Sequence, residues 1–214
     1  MPPGPGTIGA MSTPMQAEIA AAAARWVVEE GLEYGPAKSR AARELGAARR
    51  SAWPDNTQVE QAVREYIAVF CPESQAQELA ALRALACQWM ERLAPFRPHL
   101  AGAVWHGTAT RLSDIYLQLF CDDPKSAELA LIDQGVRFQP SAVTGFQGEV
   151  VDALSISCVC PGLGESVGIH LMVHDHGDLR GALQPDRQGR RPRGDLKALR
   201  ALLDHESRIN HEPL

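Results

Sequence analysis

Residues 102–117, Gly102-Ala103-Val104-Trp105-His106-Gly107-Thr108-Ala109-Thr110-Arg111-Leu112-Ser113-Asp114-Ile115-Tyr116-Leu117, hold the residue types best suited to chemistry in this chain. The two glycines allow a backbone turn to approach a charged group closely. Asp114 opens an alternating segment that runs to Cys121. Ile115, Leu117 and Leu119 fall on one face of it, and Asp114, Tyr116, Gln118 and Phe120 on the other. A carboxylate at i+2 would share the face of Asp114 and could share a hard cation with it. That position holds Tyr116 instead, and Ala103 follows the first glycine where a hydroxyl would meet a phosphate.

These residues resemble the signature of the nucleotidyltransferase fold, the superfamily of polymerase-beta-like and minimal nucleotidyltransferases. Its pattern is Gly-Ser, a short loop with a second glycine, then Ser-Asp-x-Asp on the next strand. Gly102, Gly107 and Ser113-Asp114-Ile115 fit, whereas Ala103 and Tyr116 depart. The resemblance spans about residues 98–176 and implies a degenerate member. It implies that Asp114 and Asp152, the latter in Val150-Val151-Asp152-Ala153-Leu154, are the catalytic carboxylates and the ligands of Mg²⁺. Gly102 and Gly107 would seat the phosphates of an NTP, and His106, Arg190 and Arg191 would neutralise charge. Thr108 or Thr110 would replace the missing serine hydroxyl. One ion must touch both carboxylates at about 2.1 Å, so their oxygens must lie within roughly 4–5 Å. Opposite faces would exclude the centre. If residues 161–165 form the turn, His174 lies roughly opposite Asp152. The N-terminal segments Glu30-Gly31-Leu32-Glu33-Tyr34-Gly35-Pro36-Ala37-Lys38, Leu45-Gly46 and Pro54-Asp55-Asn56 are similar to a group of bacterial proteins that pair such a helical region with a nucleotidyltransferase-like half.

Other clusters compete for attention. His170, His174 and His176 would face one way along a strand, with Cys158 and Cys160 on its partner, a donor set suited to Zn²⁺. His170 and His174 stand about 13 Å apart on a strand, too far for one ion, so His174, His176 and Asp152 make the tighter group. Arg187, Arg190, Arg191 and Arg193 crowd one loop, and Lys38, Arg40, Arg43, Arg49 and Arg50 form a basic run. Segments 187–193 and 38–50 are therefore the candidate contacts for a protein or nucleic-acid partner. Hydrolase and P-loop motifs are missing: there is neither Gly-x-Ser-x-Gly nor Gly-x-x-x-x-Gly-Lys-Ser/Thr.

The elements that position these groups follow from periodicity. Thr13-Pro14 caps a first helix that stops at Gly31. Short helices follow over 36–46 and from Asp55 or Asn56 to Phe70, and a fourth spans 74–94. Strands are expected over 100–105, 114–121, 150–160 and 166–175, with another starting at 136–138. Helices are expected over 126–134, 178–183 and 195–203, and Pro161-Gly162-Leu163-Gly164 makes a hairpin turn. The fold class is α+β: an N-terminal helical region followed by a small mixed sheet in β-β-α-β-β order. Expected divisions are a disordered lead over 1–12, a helical region over 13–98, and a nucleotidyltransferase-like domain over 99–214 with a C-terminal helix.

With 214 residues and a 45% hydrophobic share, the chain is long enough to bury a sizeable core. A net charge of −5 gives no global pull toward nucleic acid or anionic membrane. No apolar run approaches the ~20 residues of a membrane helix. Five cysteines in apolar contexts read as reduced thiols of a bacterial-type cytoplasm. The expected role is binding of a nucleotide, protein or nucleic acid without efficient catalysis. The alternatives are active Mg²⁺-dependent nucleotidyl transfer to a protein, RNA or small molecule, and a structural or regulatory module with Tyr116 and Phe120 filling the pocket.

Overall fold

The computed structural model describes residues 13–47, 53–186 and 189–209. The lead expected over 1–12, and Arg49, Arg50 and Arg187, lie outside the described residues. The chain divides into two compact units, Met1–Pro72 and Glu73–Leu214.

The first unit holds α1 (Pro14–Glu30), α2 (Tyr34–Glu44) and α3 (Asn56–Phe70). Both long helices begin with a reciprocal cap. Thr13 and Gln16 exchange side chain to backbone bonds at the start of α1, and Asp55 and Gln58 do so at α3. Each cap satisfies two amides that the helix itself cannot pair. Ile19, Ala23, Val27, Ala37, Ala41, Val59 and Val63 form the core between the three helices. The basic run is partly spent inside this unit. Lys38 donates to Asn56 Oδ1 at 2.8 Å, and Arg40 pairs with Glu30 and lies 3.5 Å from the Trp26 ring centre.

The second unit starts with α4 (Gln75–Arg92), which packs on the sheet through Leu79, Leu82, Leu85 and Trp89. Helix α4 is thus grouped with the sheet, in the unit that begins at Glu73. An amphipathic stripe tells that a helix is covered, not by what. Next come β1 (His99–Ala101), α5 (Gly102–His106), β2 (Ile115–Cys121), α6 (Pro124–Asp133), β3 (Gln139–Thr144), β4 (Val150–Cys160) and β5 (Glu165–Asp175). A 3₁₀ turn (His176–Asp178), α7 (Leu179–Ala182), β6 (Arg193–Asp195) and α8 (Leu196–Ile209) close the chain. The fold is α+β, as expected, with a mixed six-stranded sheet in the order β3-β4-β5-β2-β1-β6. Among the described residues, β2 and β5 are the only parallel pair and the other neighbours are antiparallel.

One sheet face meets α4, α6 and α8. Ile115, Leu117, Leu119, Leu154, Ile156, Ile169, Leu171 and Val173 pack there with Leu82, Leu131 and Leu199. Each fully buried leucine is worth on the order of 2–3 kcal/mol of transfer free energy. The opposite face carries Tyr116, Gln118, Phe120, His170 and His174, aligned by the parallel register Tyr116 with His170 and Phe120 with His174.

The expected strand over 100–105 is only three residues long. Gly102 takes φ +70°, which L side chains rarely adopt, and turns the chain into the single helical turn of α5. Arg83, 3% exposed on α4, then donates to the Val104 and Trp105 carbonyls at 3.0 and 3.1 Å. Those are carbonyls that so short a helix leaves unpaired.

Candidate functional site: the sheet face around Asp114

Asp114 sits one residue before β2 and takes two hydrogen bonds. The Gly168 amide donates to Oδ1 at 3.0 Å, and His170 Nε2 lies 3.1 Å from Oδ2. Glycine at 168 is what makes room. A Cβ there would stand 2.5 Å from Asp114 Oδ1. The His170 bond, with the Gly168 amide, holds the Asp114 carboxyl below the usual carboxylate range against the opposing effect of burial.

His170 continues the chain of contacts. Its Nδ1 lies 2.9 Å from Ser155 Oγ on β4, directly across the β4/β5 ladder. With Nε2–H donating to Asp114, Nδ1 is left as an acceptor and Ser155 donates to it. The Tyr116 ring stacks on His170, with centres 4.9 Å apart and planes 25° from parallel. Gly102 borders this group, since a Cβ there would lie 3.6 Å from Tyr116 Cδ2. Asp114 and His170 keep 45% and 27% of their side chains exposed, so a ligand can reach both.

Hydroxyl, imidazole and carboxylate thus line up in the order nucleophile, base, orienting acid. Sequence reasoning missed this, because Ser155, His170 and Asp114 come from three separate segments. Triad nucleophiles normally sit at a turn whose free amides stabilise an oxyanion. Ser155 lies inside β4, paired to Gln139 and His170 in the ladders on either side. The arrangement suits binding and proton sharing better than acyl transfer.

Asp152 does not join the group. It pairs with Val173, one residue away from the expected His174, and so shares the face of the helix-packed core. A one-residue change of register moves a side chain to the other side of a sheet. Asp114 and Asp152 are on opposite faces and, along β5, about 16 Å apart. The Mg²⁺ centre expected at this pair does not fit these residues.

The remaining expected phosphate contacts divide. Gly107, at φ +81°, closes α5 and faces α4: a Cβ there would lie 3.5 Å from Arg83 Nη2. Thr108 and Thr110 are buried, 2% and 4% exposed, so neither hydroxyl reaches a ligand on the surface. Ser113 is spent locally, its Oγ accepting from the Thr110 amide at 3.0 Å. His106 is half-buried at the end of α5. Arg190 is held by Asp186, through Nε to Oδ2 at 3.1 Å. Arg191 is exposed, and its carbonyl is tied to α5 by Trp105 Nε1 at 2.9 Å. Cys158 and Cys160 lie with the helix-packed core, across the sheet from His170 and His174, and His176 is in the turn beyond β5. The expected Zn²⁺ set is therefore separated by the sheet itself.

No protein-family model matches the chain, and no curated protein matches it. Among solved structures it is similar to the Cid1 poly(U) polymerase in a structure with MgGTP bound, at 15% identity and a TM-score of 0.33. The match covers 45% of this chain and 32% of that one, so the chain spans about a third of that protein's length. Among the described residues no helix is long and apolar enough to cross a membrane.

Proposed function

We propose that the second unit is a nucleotidyltransferase-like module that binds a nucleotide on the face around Asp114, Tyr116 and His170, without nucleotidyl transfer. The observation that carries this reading is the β4/β5 register. It sets Asp152 on the far face and leaves Asp114 alone among carboxylates expected to hold Mg²⁺. Two-ion chemistry needs carboxylates that converge. Asp114 is already engaged by an amide and an imidazole, and Tyr116 occupies the i+2 position.

What remains is a recognition surface. The Tyr116–His170 pair offers aromatic area for a base, worth about 1–3 kcal/mol per stacked base. The hydroxyl of Ser155 and the carboxylate of Asp114 offer directional polar contacts beside it. The exposed Arg191, on a segment tied to α5, supplies positive charge for phosphate. Single-stranded RNA presents the same chemistry, repeated, and is the macromolecular ligand this face would take.

Calorimetric titration with ATP, GTP, UTP and a short oligo(U), with and without Mg²⁺, tests the reading. Saturable binding that does not require Mg²⁺ is expected. Tyr116→Ala should weaken it about tenfold, as loss of one stacking contact implies, and Asp152→Asn should leave it unchanged. Binding that depends strictly on Mg²⁺, or none to any of these ligands, would overturn it.

A further inference from the structure

The same sheet face holds a second cluster at the other end of β5. His174 is 1% exposed, and its ring packs against those of Phe120 and Phe146, with centres 5.4 and 4.9 Å away. Neither ring nitrogen makes a well-aligned hydrogen bond among the described residues. Buried polar atoms are nearly always paired, and each orphan costs about 1–3 kcal/mol. Two orphans on one imidazole call for an explanation.

The surroundings supply one. Glu149, in the loop before β4, brings Oε1 to 3.4 Å from His174 Nδ1, and this oxygen is itself buried without a hydrogen bond. Asp178, in the turn after β5, completes the group. The ligand atoms of Glu149, His174 and Asp178 all lie within 4.8 Å of one another. The carboxylates are aimed by Gln147, whose amide donates to Glu149 Oε2 at 2.8 Å and whose side chain donates to Asp178 Oδ1 at 3.3 Å. Glycine at 145 leaves space for the glutamate, because a Cβ there would stand 2.0 Å from Oε1.

We propose that Glu149, His174 and Asp178 bind a single divalent transition-metal ion, Zn²⁺ or Mn²⁺. One imidazole and two carboxylates are a mixed nitrogen and oxygen set, which favours these ions over Mg²⁺ or Ca²⁺. Ligand atoms on one such ion at about 2.1 Å lie roughly 3–3.5 Å apart. The cluster therefore closes by about an ångström on binding, within reach of side-chain rotation at the surface turn that carries Asp178. Two carboxylates match the double charge of the ion, while the nearby Arg193 guanidinium, 4.5 Å from the Phe146 ring centre and donating to Gln118, stays as one further positive charge. An imidazole binds an ion through its neutral form, and binding displaces any proton that it holds. The ion would clamp the loop before β4, the end of β5 and the following turn together. His170 stands about 13 Å away along the strand, so this site is independent of the nucleotide-binding reading.

The test uses the full chain, stripped with chelator and titrated with Zn²⁺, Mn²⁺ and Co²⁺ in the absence of nucleotide. One ion per chain is expected, with a rise in melting temperature. Glu149→Gln and His174→Gln should each weaken binding at least about 100-fold, since outer partners of a metal ligand are alone worth about 10–100-fold. Asp178→Asn, on a surface turn where folding is not at stake, should weaken it at least tenfold. The Co²⁺ form should show no thiolate charge-transfer band. A thiolate band, binding unaltered in Asp178→Asn and Glu149→Gln, or no binding at one ion per chain would refute the site.

Discussion

His170 and His174 lie four residues apart on β5, on the same face, each beside a carboxylate, and their environments are opposites. His170 is partly exposed and fully engaged: Asp114 on one nitrogen, Ser155 on the other, Tyr116 across its plane. His174 is enclosed by two phenyl rings, with both nitrogens short of a hydrogen bond. Residue type and spacing do not separate the two. What does is the cover. The end near Asp114 is open to solvent, whereas Phe146 and the turn after β5 close over the other. An engaged imidazole orients and shares protons. A buried one without a well-aligned hydrogen bond is suited to a metal ion.

Removing the cover of His174 should erase most of the difference between the two histidines. Phe120, 1% exposed, stacks on His174 and meets His99 edge-on. Phe120→Ala should cost about 3–5 kcal/mol, as large aromatic truncations in a core do, measured by urea unfolding of the full chain. It should also wet His174 and make the two imidazoles alike. A loss under about 1 kcal/mol would mean that the rings do not enclose the site.

Acid sharpens the same contrast. His99, 6% exposed, has its pKa lowered from 6.5, chiefly by burial. Asp114 has its pKa lowered from 3.8, chiefly by the His170 hydrogen bond. For both groups the unfolded chain takes up protons at a higher pH than the folded chain, so each stabilises the fold at neutral pH and loses that contribution on acidification. His99 begins to do so as pH falls below 6.5 and Asp114 below 3.8. Unfolding free energy against pH should fall in two separate windows. His99→Gln should make the upper one shallower, because the buried His174, its pKa lowered too, titrates there as well, and Asp114→Asn should flatten the lower one. A profile flat between pH 7 and 5 would contradict the buried neutral imidazole.

Much of this frame is legible in the sequence. Thr13-Pro14 and Asp55 mark the helix starts because caps are local chemistry. The strand expected over 150–160 is Val150–Cys160, since alternation is local too. The alternation of Ile115, Leu117 and Leu119 against Tyr116, Gln118 and Phe120 also holds. The site is harder to read. Asp152 and His174 are expected opposite one another and miss by one residue, and a miss of one reverses the face. Turn length fixes register, and Pro161-Gly162-Leu163-Gly164 admits more than one closure. Gly168 gives no periodic signal, although its missing side chain is what admits Asp114. Glu149 and Asp178 are loop residues whose meeting depends on the whole β4–β5 ladder. Strand β6, three residues beside β1, is too short for any pattern to reveal.

A gentler change at the open end isolates Asp114. In Gly168→Ala the new Cβ meets the flexible tip of Asp114 rather than backbone, so the carboxylate swings aside. Stability should fall by about 1 kcal/mol, the worth of one or two lost hydrogen bonds. The Asp114 carboxyl, followed by NMR, should return toward its ordinary range. Nucleotide binding should weaken while metal binding at Glu149, His174 and Asp178 stays intact. An unshifted carboxyl would show that Gly168 is not what positions it.

The smallest expected effect is the most specific. Ser155→Ala removes the hydroxyl that meets His170 Nδ1 and leaves the Asp114 bond to Nε2 in place. Ser155 is half-buried, so water can replace the lost donor and the stability cost should stay within about 1 kcal/mol. The tautomer should survive, because the carboxylate on Nε2 dictates which nitrogen keeps the proton. Nitrogen-15 NMR of the imidazole should show Nε2 protonated in both the wild type and the variant, with only the Nδ1 resonance moved. A switch of tautomer in Ser155→Ala would make Ser155, not Asp114, the group that orders this ring. The open end of β5 would then be organised from β4 rather than from the turn before β2.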